Sequence, residues 1–457
     1  MNRWVLGLVT VLCLSGCHRQ AKPEPQSELI VPHASEETST AGSSEPSPPK
    51  PGLRRPATSQ ERAAIEKLAR AAESVRQLRF LHPITIEIED GIAIASSLHD
   101  QIEDEEIERA RLLYGALGLI DPDADLRALF SGVLGEQVIG YYDPKETRLV
   151  IRDDVMDGLL GTRGPKESDE ARLVLVHELV HALQDQRLGL GDSYDQKRTA
   201  DADNAFRAVI EGDATLAMLA NALRSQGIPL SAATRGIQQM GSYIDVEAFI
   251  RGEKLDEAPA ILRVTLVAPY LRGLQFIATV YSTGGWPSVN RAHRRPPTTT
   301  EQVLHPEKFA NAERGELFEV SDIRGVEQAG YRRIAEDTLG ELELSVYLGQ
   351  SSPTGTNEAA AAGWGGDQLV VYRRADATAV VWWTTWDSEA DAVEAYRAAQ
   401  RVAPKKPSSL VERRGRAVLI VRDLPPRVHR AVRKAFGSFA RKLKEGRPLQ
   451  VTRNPVY

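Results

Sequence analysis

The stretch LVLVHELVHALQDQ, residues 173–186, places two histidines four residues apart, with a glutamate directly after the first. It contains no Gly or Pro and is strongly apolar, which predicts a helix. Residues i and i+4 of a helix share a face one turn apart, so His177 and His181 could bind one ion. Glu178 would project beside them as a base for a water molecule. The alternative is a histidine pair that merely lies in a buried helix.

The expected ion is zinc. Zinc accepts imidazole and carboxylate ligands, and a catalytic zinc keeps one of its four positions open for water. The first candidate for a third ligand is Glu211, thirty residues past His181 on the next predicted helix. Asp203 and Asp213 are competing carboxylates on the same helix.

A His-Glu-x-x-His helix followed by a glutamate on the next helix resembles the gluzincin branch of the zincin metallopeptidases, the thermolysin-like class. The interval to Glu211 is longer than in thermolysin-like enzymes, and the residues after it do not reproduce their Asn-Glu-x-x-Ser-Asp pattern. The resemblance implies Zn²⁺ bound by His177, His181 and Glu211. It also implies that Glu178 acts as the general base in peptide-bond hydrolysis and then carries the proton to the leaving amine.

Two further roles are expected around such a site. Asp185 and Asp213 are candidates to accept the outer N–H of a ligating histidine, which would fix its tautomer. A catalytic oxyanion donor is also expected. The first candidate for that donor is His305 in TEQVLHPEKF, and the next is Tyr281 in ATVYSTGGW. A histidine at a helix C-terminus can equally have a local role towards the helix dipole.

Several predicted elements would position these residues. Residues 136–152 read as a hairpin around Asp-Pro-Lys, directly before the metal helix. By resemblance to zincins, its edge would bind an extended peptide by strand addition, and a plain structural hairpin is the alternative. The other predicted elements of this region are a strand over 83–90 and helices from about Thr58, over 105–117, 168–187, 200–226 and 260–283, and between the prolines of PPTTTEQVLHPEKF.

The pattern changes near residue 337. A final helix is indicated by the apolar stripe from Val428 to Leu443. An antiparallel sheet with helices on one face would accommodate these elements. We therefore expect an α+β protein, in which a mainly helical zincin-type metallopeptidase domain with a small sheet (57–335) precedes a smaller α+β antiparallel-sheet domain (336–457). This second domain is a candidate for binding a protein partner. Its predicted strands cover 341–348, 369–373, 379–383 and 417–421.

The N-terminal residues read as a targeting segment. MNRWVLGLVTVLCLSGC has one positive residue and a short apolar run, and its last four residues resemble a bacterial lipobox. That resemblance implies cleavage before Cys17 and a lipid on its thiol, with an ordinary signal peptide as the alternative. Residues 18–56, rich in Pro, Ser and Glu, would form a disordered tether after the signal peptide (1–17). Only one other cysteine exists, Cys13, so thiolate zinc ligands are excluded after cleavage.

Charge is distributed unevenly along the chain. Residues 401–457 hold 16 Lys and Arg against 3 acidic residues, although the formal net charge of the chain is -6. A solvated amphipathic helix would account for this surplus. The alternative is contact with an anionic membrane surface or an acidic polymer. Nucleic acid is not an expected partner of an exported protein.

These features predict a zinc metalloendopeptidase in the bacterial cell envelope, anchored to a membrane through Cys17 and acting on peptide or protein substrates. His18 after Cys17 favours the outer membrane, by resemblance to Gram-negative lipoproteins. The alternative function is that of a catalytically inactive, metallopeptidase-like lipoprotein that serves as an envelope binding or scaffold protein. Much of the chain, from about 75 to 400, also resembles a group of poorly characterised bacterial envelope proteins, which names no substrate.

Overall fold

The computed structural model describes residues 52–129, 138–161, 165–194, 196–239, 258–320, 322–352, 354–447 and 449. The expected signal peptide, Cys17 and most of the expected tether lie outside the described residues. The last three residues of that tether, Arg54–Pro56, form a strand that pairs with the sheet of the first region.

The first sheet has four strands in the order β1-β2-β4-β3. The predicted hairpin is present as β3 and β4, which pair antiparallel with Tyr142 opposite Leu149, and Thr147 takes a left-handed φ of 50° at the turn. β2 runs parallel to β4, so β3 lies at an edge of the sheet. The strands are β1 (Arg54–Pro56), β2 (Thr85–Glu89), β3 (Gly140–Asp143) and β4 (Arg148–Arg152).

Helices make up most of the first region. The predicted helix over 260–283 continues to residue 294, but its helical geometry is interrupted at Gly284 and Gly285, where the sequence predicted its end. The helices are α1 (Ser59–Arg76), α2 (Gly91–Gln101), α3 (Asp104–Leu117), α4 (Asp153–Leu159), α5 (Pro165–Leu188), α6 (Leu190–Tyr194), α7 (Ala200–Ser225), α8 (Leu230–Gln239), α9 (Ala260–Arg294), α10 (Thr300–Leu304) and α11 (Pro306–Ala310).

The second sheet is antiparallel, in the order β5-β6-β7-β9-β8. The expectation of helices on one face is wrong, because both faces are covered. Alternate residues of β6 belong to different apolar clusters. Val370 and Tyr372 lie in the cluster that includes α16, and Leu369 and Val371 lie in the cluster that includes α13 and α15 on the opposite face of the sheet. The elements are α12 (Arg324–Gln328), β5 (Arg332–Asp337), α13 (Gly340–Leu348), α14 (Glu358–Ala361), β6 (Trp364–Arg374), β7 (Ala377–Trp386), α15 (Glu389–Val402), β8 (Leu410–Arg414), β9 (Ala417–Arg422) and α16 (Pro426–Lys444).

The predicted strand over 341–348 is also wrong, because these residues form helix α13. In ELELSVYL polar and apolar residues alternate, as in a strand with one exposed face. Every residue of the helix is buried, however, so the alternation does not separate a buried side from an exposed side. Asp367 accepts the N–H groups of Leu339 (3.1 Å) and Gly340 (2.9 Å) at the start of the helix. Gly340 has a φ of 74°, which only glycine adopts without strain.

The two regions share one apolar core. Residues of α3 and α9 pack in the same cluster as α13, α15 and one face of the second sheet. Polar contacts join them as well: Arg109 donates to the buried Asp337 (2.5 Å), and the hydroxyl of the buried Tyr114 donates to Glu343 (3.1 Å). In the described part of the chain, one helix segment, Ala260–Gly284, is apolar and long enough to cross a membrane, and 78% of its apolar window is buried inside the protein.

Candidate metal centre

Helix α5 brings the two motif histidines together. Its residues from Val174 to Leu183 are all buried, since the helix packs against α1, α4, α7 and β3. The Nε2 atoms of His177 and His181 lie 3.0 Å apart, and both side chains are fully buried. The predicted ligand pair therefore has the proximity that a single ion requires.

Glu211 is the carboxylate that completes the group. Its Oε2 lies 3.2 Å from the Nε2 of His177 and 3.5 Å from that of His181. The three donor atoms thus form a triangle with edges of 3.0, 3.2 and 3.5 Å. For ligands at 2.0–2.1 Å in a tetrahedron, the edge of a face is about 3.4 Å. The donors present therefore fit three positions of a tetrahedral zinc site.

A close helix crossing positions Glu211. A Cβ at the neighbouring Gly212 would lie 2.2 Å from the backbone of Gly273, and a Cβ at Gly273 would lie 2.2 Å from the carbonyl oxygen of Ala208. Helices α7 and α9 can therefore approach this closely only because both positions are glycine. The same crossing places Tyr270 of α9 parallel to the ring of His177, with 5.9 Å between ring centroids.

Gln184 holds the outer nitrogen of His181. Its Nε2 donates to the carbonyl of Ile210 (3.0 Å) and to Asp213 (3.0 Å), so its Oε1 is the atom that faces the imidazole. That oxygen accepts the Nδ1–H of His181 at 2.9 Å. The Nε2 of His181 consequently carries the lone pair and points to Glu211 and His177.

Asp213 is a fixed negative charge behind Gln184. It accepts from Arg76 Nε (2.6 Å) and from His293 Nε2 (2.8 Å), and its side chain is fully buried. Burial alone would raise the pKa of this carboxyl, but Arg76 and His293 together outweigh burial and hold the pKa well below its ordinary value. Asp213 therefore orients Gln184 and contacts neither His177 nor His181 in the hydrogen bonds described.

Glu178 lies beside the donor triangle. Ligand atoms of Glu178, His177 and His181 all lie within 4.8 Å of one another. One carboxylate oxygen, Oε2, accepts the backbone N–H of Tyr142 in β3 (3.0 Å). The other, Oε1, has no hydrogen-bond partner among the described residues. Burial raises the pKa of Glu178 to about 8, which is near the neutral range in which a general base works best.

The ionisation of the donors also suits a metal. Burial lowers the pKa of His177 to about 4, so its imidazole is neutral at physiological pH. Burial alone would lower the pKa of His181 and raise that of Glu211. Their mutual attraction outweighs burial in both, so the pKa of His181 is raised and that of Glu211 lowered. Glu211 thus favours a positive charge at the Nε2 of His181, which a proton supplies when no cation is bound and a metal ion would supply in its place.

Other predicted site residues lie elsewhere. Asp185 accepts from the hydroxyl of Tyr142 (2.6 Å) and the N–H of Gly191 (2.9 Å), so it ties β3 to α5 and does not hold a histidine. The Nε2 of His305, the first candidate for the oxyanion donor, pairs with Glu341 Oε1 (2.9 Å). No described contact joins His305 to the three donors.

Two further candidates are also placed away from the donors. Tyr281 packs edge-on against Trp286 and lines a surface cavity of about 350 Å³ that contains no donor residue. Asp203 lies two helical turns, about 12 Å, before Glu211 along α7. No described contact brings either residue to the histidines.

A second group of carboxylates, Glu301, Glu313 and Asp387, also lies close together. The ammonium of Lys308 sits among them, 2.6 Å, 2.9 Å and 2.5 Å from their oxygens respectively. The positive charge that such a group needs is therefore supplied by the chain itself, and the group is an internal ion-pair network.

The comparisons with known proteins cover the second region only. A family model described as a domain of unknown function (DUF8575) matches residues 327–433, which begin in α12 and end in α16. No curated protein matches the chain, and no solved structure matches it. None of the donor residues lies inside the matched range, so the centre is interpreted from its own geometry.

Proposed function

We propose that the chain is a zinc-dependent metalloendopeptidase of the bacterial cell envelope, held at a membrane through a lipid on Cys17. The observation that carries the proposal is the triangle of donor atoms from His177, His181 and Glu211, with Glu178 beside it. Two imidazoles and one carboxylate leave a coordination position open, as in catalytic rather than structural zinc sites.

Zinc bound at these donors would polarise a peptide carbonyl and lower the pKa of a nearby water. Tyr142 fixes one oxygen of Glu178 and leaves Oε1 to take the proton of the attacking water. Glu178 then delivers that proton to the amide nitrogen as the C–N bond breaks. The products are a carboxylate and an amine, and Glu178 returns to its ionised form. Gln184 keeps His181 in one tautomer throughout.

The edge strand β3 is the proposed support for an extended substrate. Ile139 accepts from Arg152 of β4, so alternate residues such as Gly140 and Tyr142 direct their backbone groups away from the sheet. The N–H of Tyr142 is already donated to Glu178. A peptide added along this edge would therefore pair with the remaining outward groups, close to the general base.

A second candidate function is a non-catalytic envelope scaffold with a structural metal. It is favoured by the burial of the centre, because the donors and Glu178 are at most 2% exposed. A surface groove of about 440 Å³ beside α1 is lined by residues such as Phe80 and Ile84, not by the donors. Under this function Glu178 would have no chemical role, and its replacement would leave metal binding and partner binding unchanged.

Cleavage of casein and of a peptide library by the full, zinc-loaded chain separates the two functions. We expect Glu178→Gln to keep its zinc and to lose cleavage by a factor of about 10² to 10⁴. Glu170→Gln, the same change two turns earlier on α5, is the matched control and should cleave like the native chain. Zinc retained by a native chain that cleaves nothing would reject the peptidase and support the scaffold.

A further inference from the structure

Helix α16 carries a straight row of cations on its outer face. Its buried side, which includes Val428, Val432, Phe436, Phe439 and Leu443, packs on the second sheet. At 100° per residue, Arg427, Arg430, Lys434 and Arg441 fall within about 60° of one another, directly opposite that side. All four are exposed. We call these four residues the basic row, and along the helix axis it spans about 21 Å.

Nothing acidic in the described structure neutralises the basic row. Residues 401–457 contain three acids, and each is paired with another cation. Glu412 binds Arg414 (2.7 Å) and Arg433 (2.9 Å). Asp423 binds Lys406, and Glu445 binds Arg447. In the part of the chain that the structure describes, no ion pair involves any of the four row residues, so their charge is available to a partner.

The surface around the basic row offers positive charge and has no large apolar side chain among those exposed in the described residues. Ser438 flanks it on one side, and on the other the guanidinium of Arg414 lies over Gly437 and adds a further cation. The large apolar side chains that are exposed in the described residues (Leu53, Leu81, Ile92, Ile228 and Leu317) all lie outside α16. Base stacking would need exposed aromatic side chains, and insertion into a bilayer would need apolar ones. A broad layer of negative headgroups requires neither.

We propose that α16 is a membrane-facing surface that adsorbs to anionic phospholipid through the basic row. The row is straight along one side of the helix, which fits a planar charged layer better than a shaped acidic protein. The remainder of the chain has a negative net charge, so the row also orients the molecule with α16 towards the headgroups. The lipid expected on Cys17 would hold the protein at such a surface. The proposal does not depend on peptidase activity.

Vesicle partitioning of the full chain, with Cys17→Ser to remove the lipid anchor, tests this surface. Binding is compared between phosphatidylcholine vesicles and vesicles that also contain phosphatidylglycerol. Each cation near an anionic surface contributes roughly fivefold to partitioning. We expect the excess binding to anionic vesicles to fall about a hundredfold or more when all four row residues are changed to Gln, and to weaken as salt is added.

The matched control removes the same charge elsewhere. Lys67 and Arg70 of α1, with Arg397 and Arg401 of α15, are exposed cations that can also be changed to Gln. This control should bind anionic vesicles nearly as the native chain does, and circular dichroism checks that both variants fold. Equal partitioning of the native chain into neutral and anionic vesicles would overturn the proposal. So would an equal loss in the control, or binding to soluble polyglutamate without binding to anionic vesicles.

Discussion

Substituting alanine for Gly273 should destabilise the protein, although alanine is the better helix former. The new Cβ would lie 2.2 Å from the carbonyl oxygen of Ala208, where about 3.3 Å is the closest comfortable approach. Helices α7 and α9 would therefore have to separate by about 1 Å. Overpacking of this kind costs about 1–3 kcal/mol and here works against backbone atoms, so it outweighs the gain of about 1 kcal/mol in helix propensity.

Gly236 in α8 offers the matched control. A Cβ there would meet nothing within 4 Å, so Gly236→Ala should raise stability by about 0.5–1 kcal/mol. Thermal unfolding of the two variants should thus shift the midpoint in opposite directions, each by a few degrees at most. If Gly273→Ala unfolds at or above the native midpoint, helices α7 and α9 do not cross too closely for a Cβ at this position.

Gly273→Ala should also affect the candidate metal centre, because residues of the centre lie next to the α7–α9 crossing. Glu211 precedes Gly212 in α7, and Tyr270 lies one turn before Gly273 in α9. Metal–ligand distances must hold to about 0.2 Å, so separating the two helices should weaken zinc binding. Chelator competition should show lower zinc affinity in Gly273→Ala and native affinity in Gly236→Ala. If Gly273→Ala is destabilised but keeps the native zinc affinity, the α7–α9 crossing does not position the metal ligands.

Three further outcomes follow from the contacts. Gln184→Leu should lower zinc affinity by about 10–100-fold in chelator competition, whereas Gln186→Leu on the same helix should not change it. Burial raises the pKa of Glu343 from 4.5 to about 8, so the folded state binds its proton more tightly and stability falls as pH rises between these values. The fall should be smaller in Glu343→Gln than in the native chain, by at most about 5 kcal/mol, because Glu178 and Asp201 also have pKa values raised to about 8 and keep their own share of it. An equal fall in the variant would contradict this prediction. His305→Ala should keep its zinc and most of its cleavage rate, because His305 pairs with Glu341; a loss of 10²-fold or more in kcat would restore the oxyanion role.

Periodicity predicted the elements whose two sides differ. The final helix, predicted from the apolar stripe between Val428 and Leu443, corresponds to α16, whose opposite side is exposed. The failure at α13 has the opposite cause, because a helix buried on every side leaves no pattern of faces to read. The short strands β1, β5 and β8 were not predicted. β1 and β5 are defined by pairing with distant segments rather than by their own composition. β8 reads LVERR, which has no alternation of apolar and polar residues.

The residues of the candidate site also divide into those with a local sequence signal and those without one. The spacing of His177 and His181 is local, and the structure brings the two together. Gln184 could have been recognised, because it lies three residues after His181 on the same helix face. Arg76 and His293 could not, since they lie 137 and 80 residues from Asp213 and no local pattern connects them.

The zinc content of the purified full chain tests the central proposal most directly. We predict one zinc per chain for the native protein, loss of that zinc in Glu211→Gln, and full retention in Asp203→Asn, which makes the equivalent change two turns away on α7. Native protein without stoichiometric zinc, or equal loss in Asp203→Asn and Glu211→Gln, would contradict the assignment of His177, His181 and Glu211 as the metal ligands.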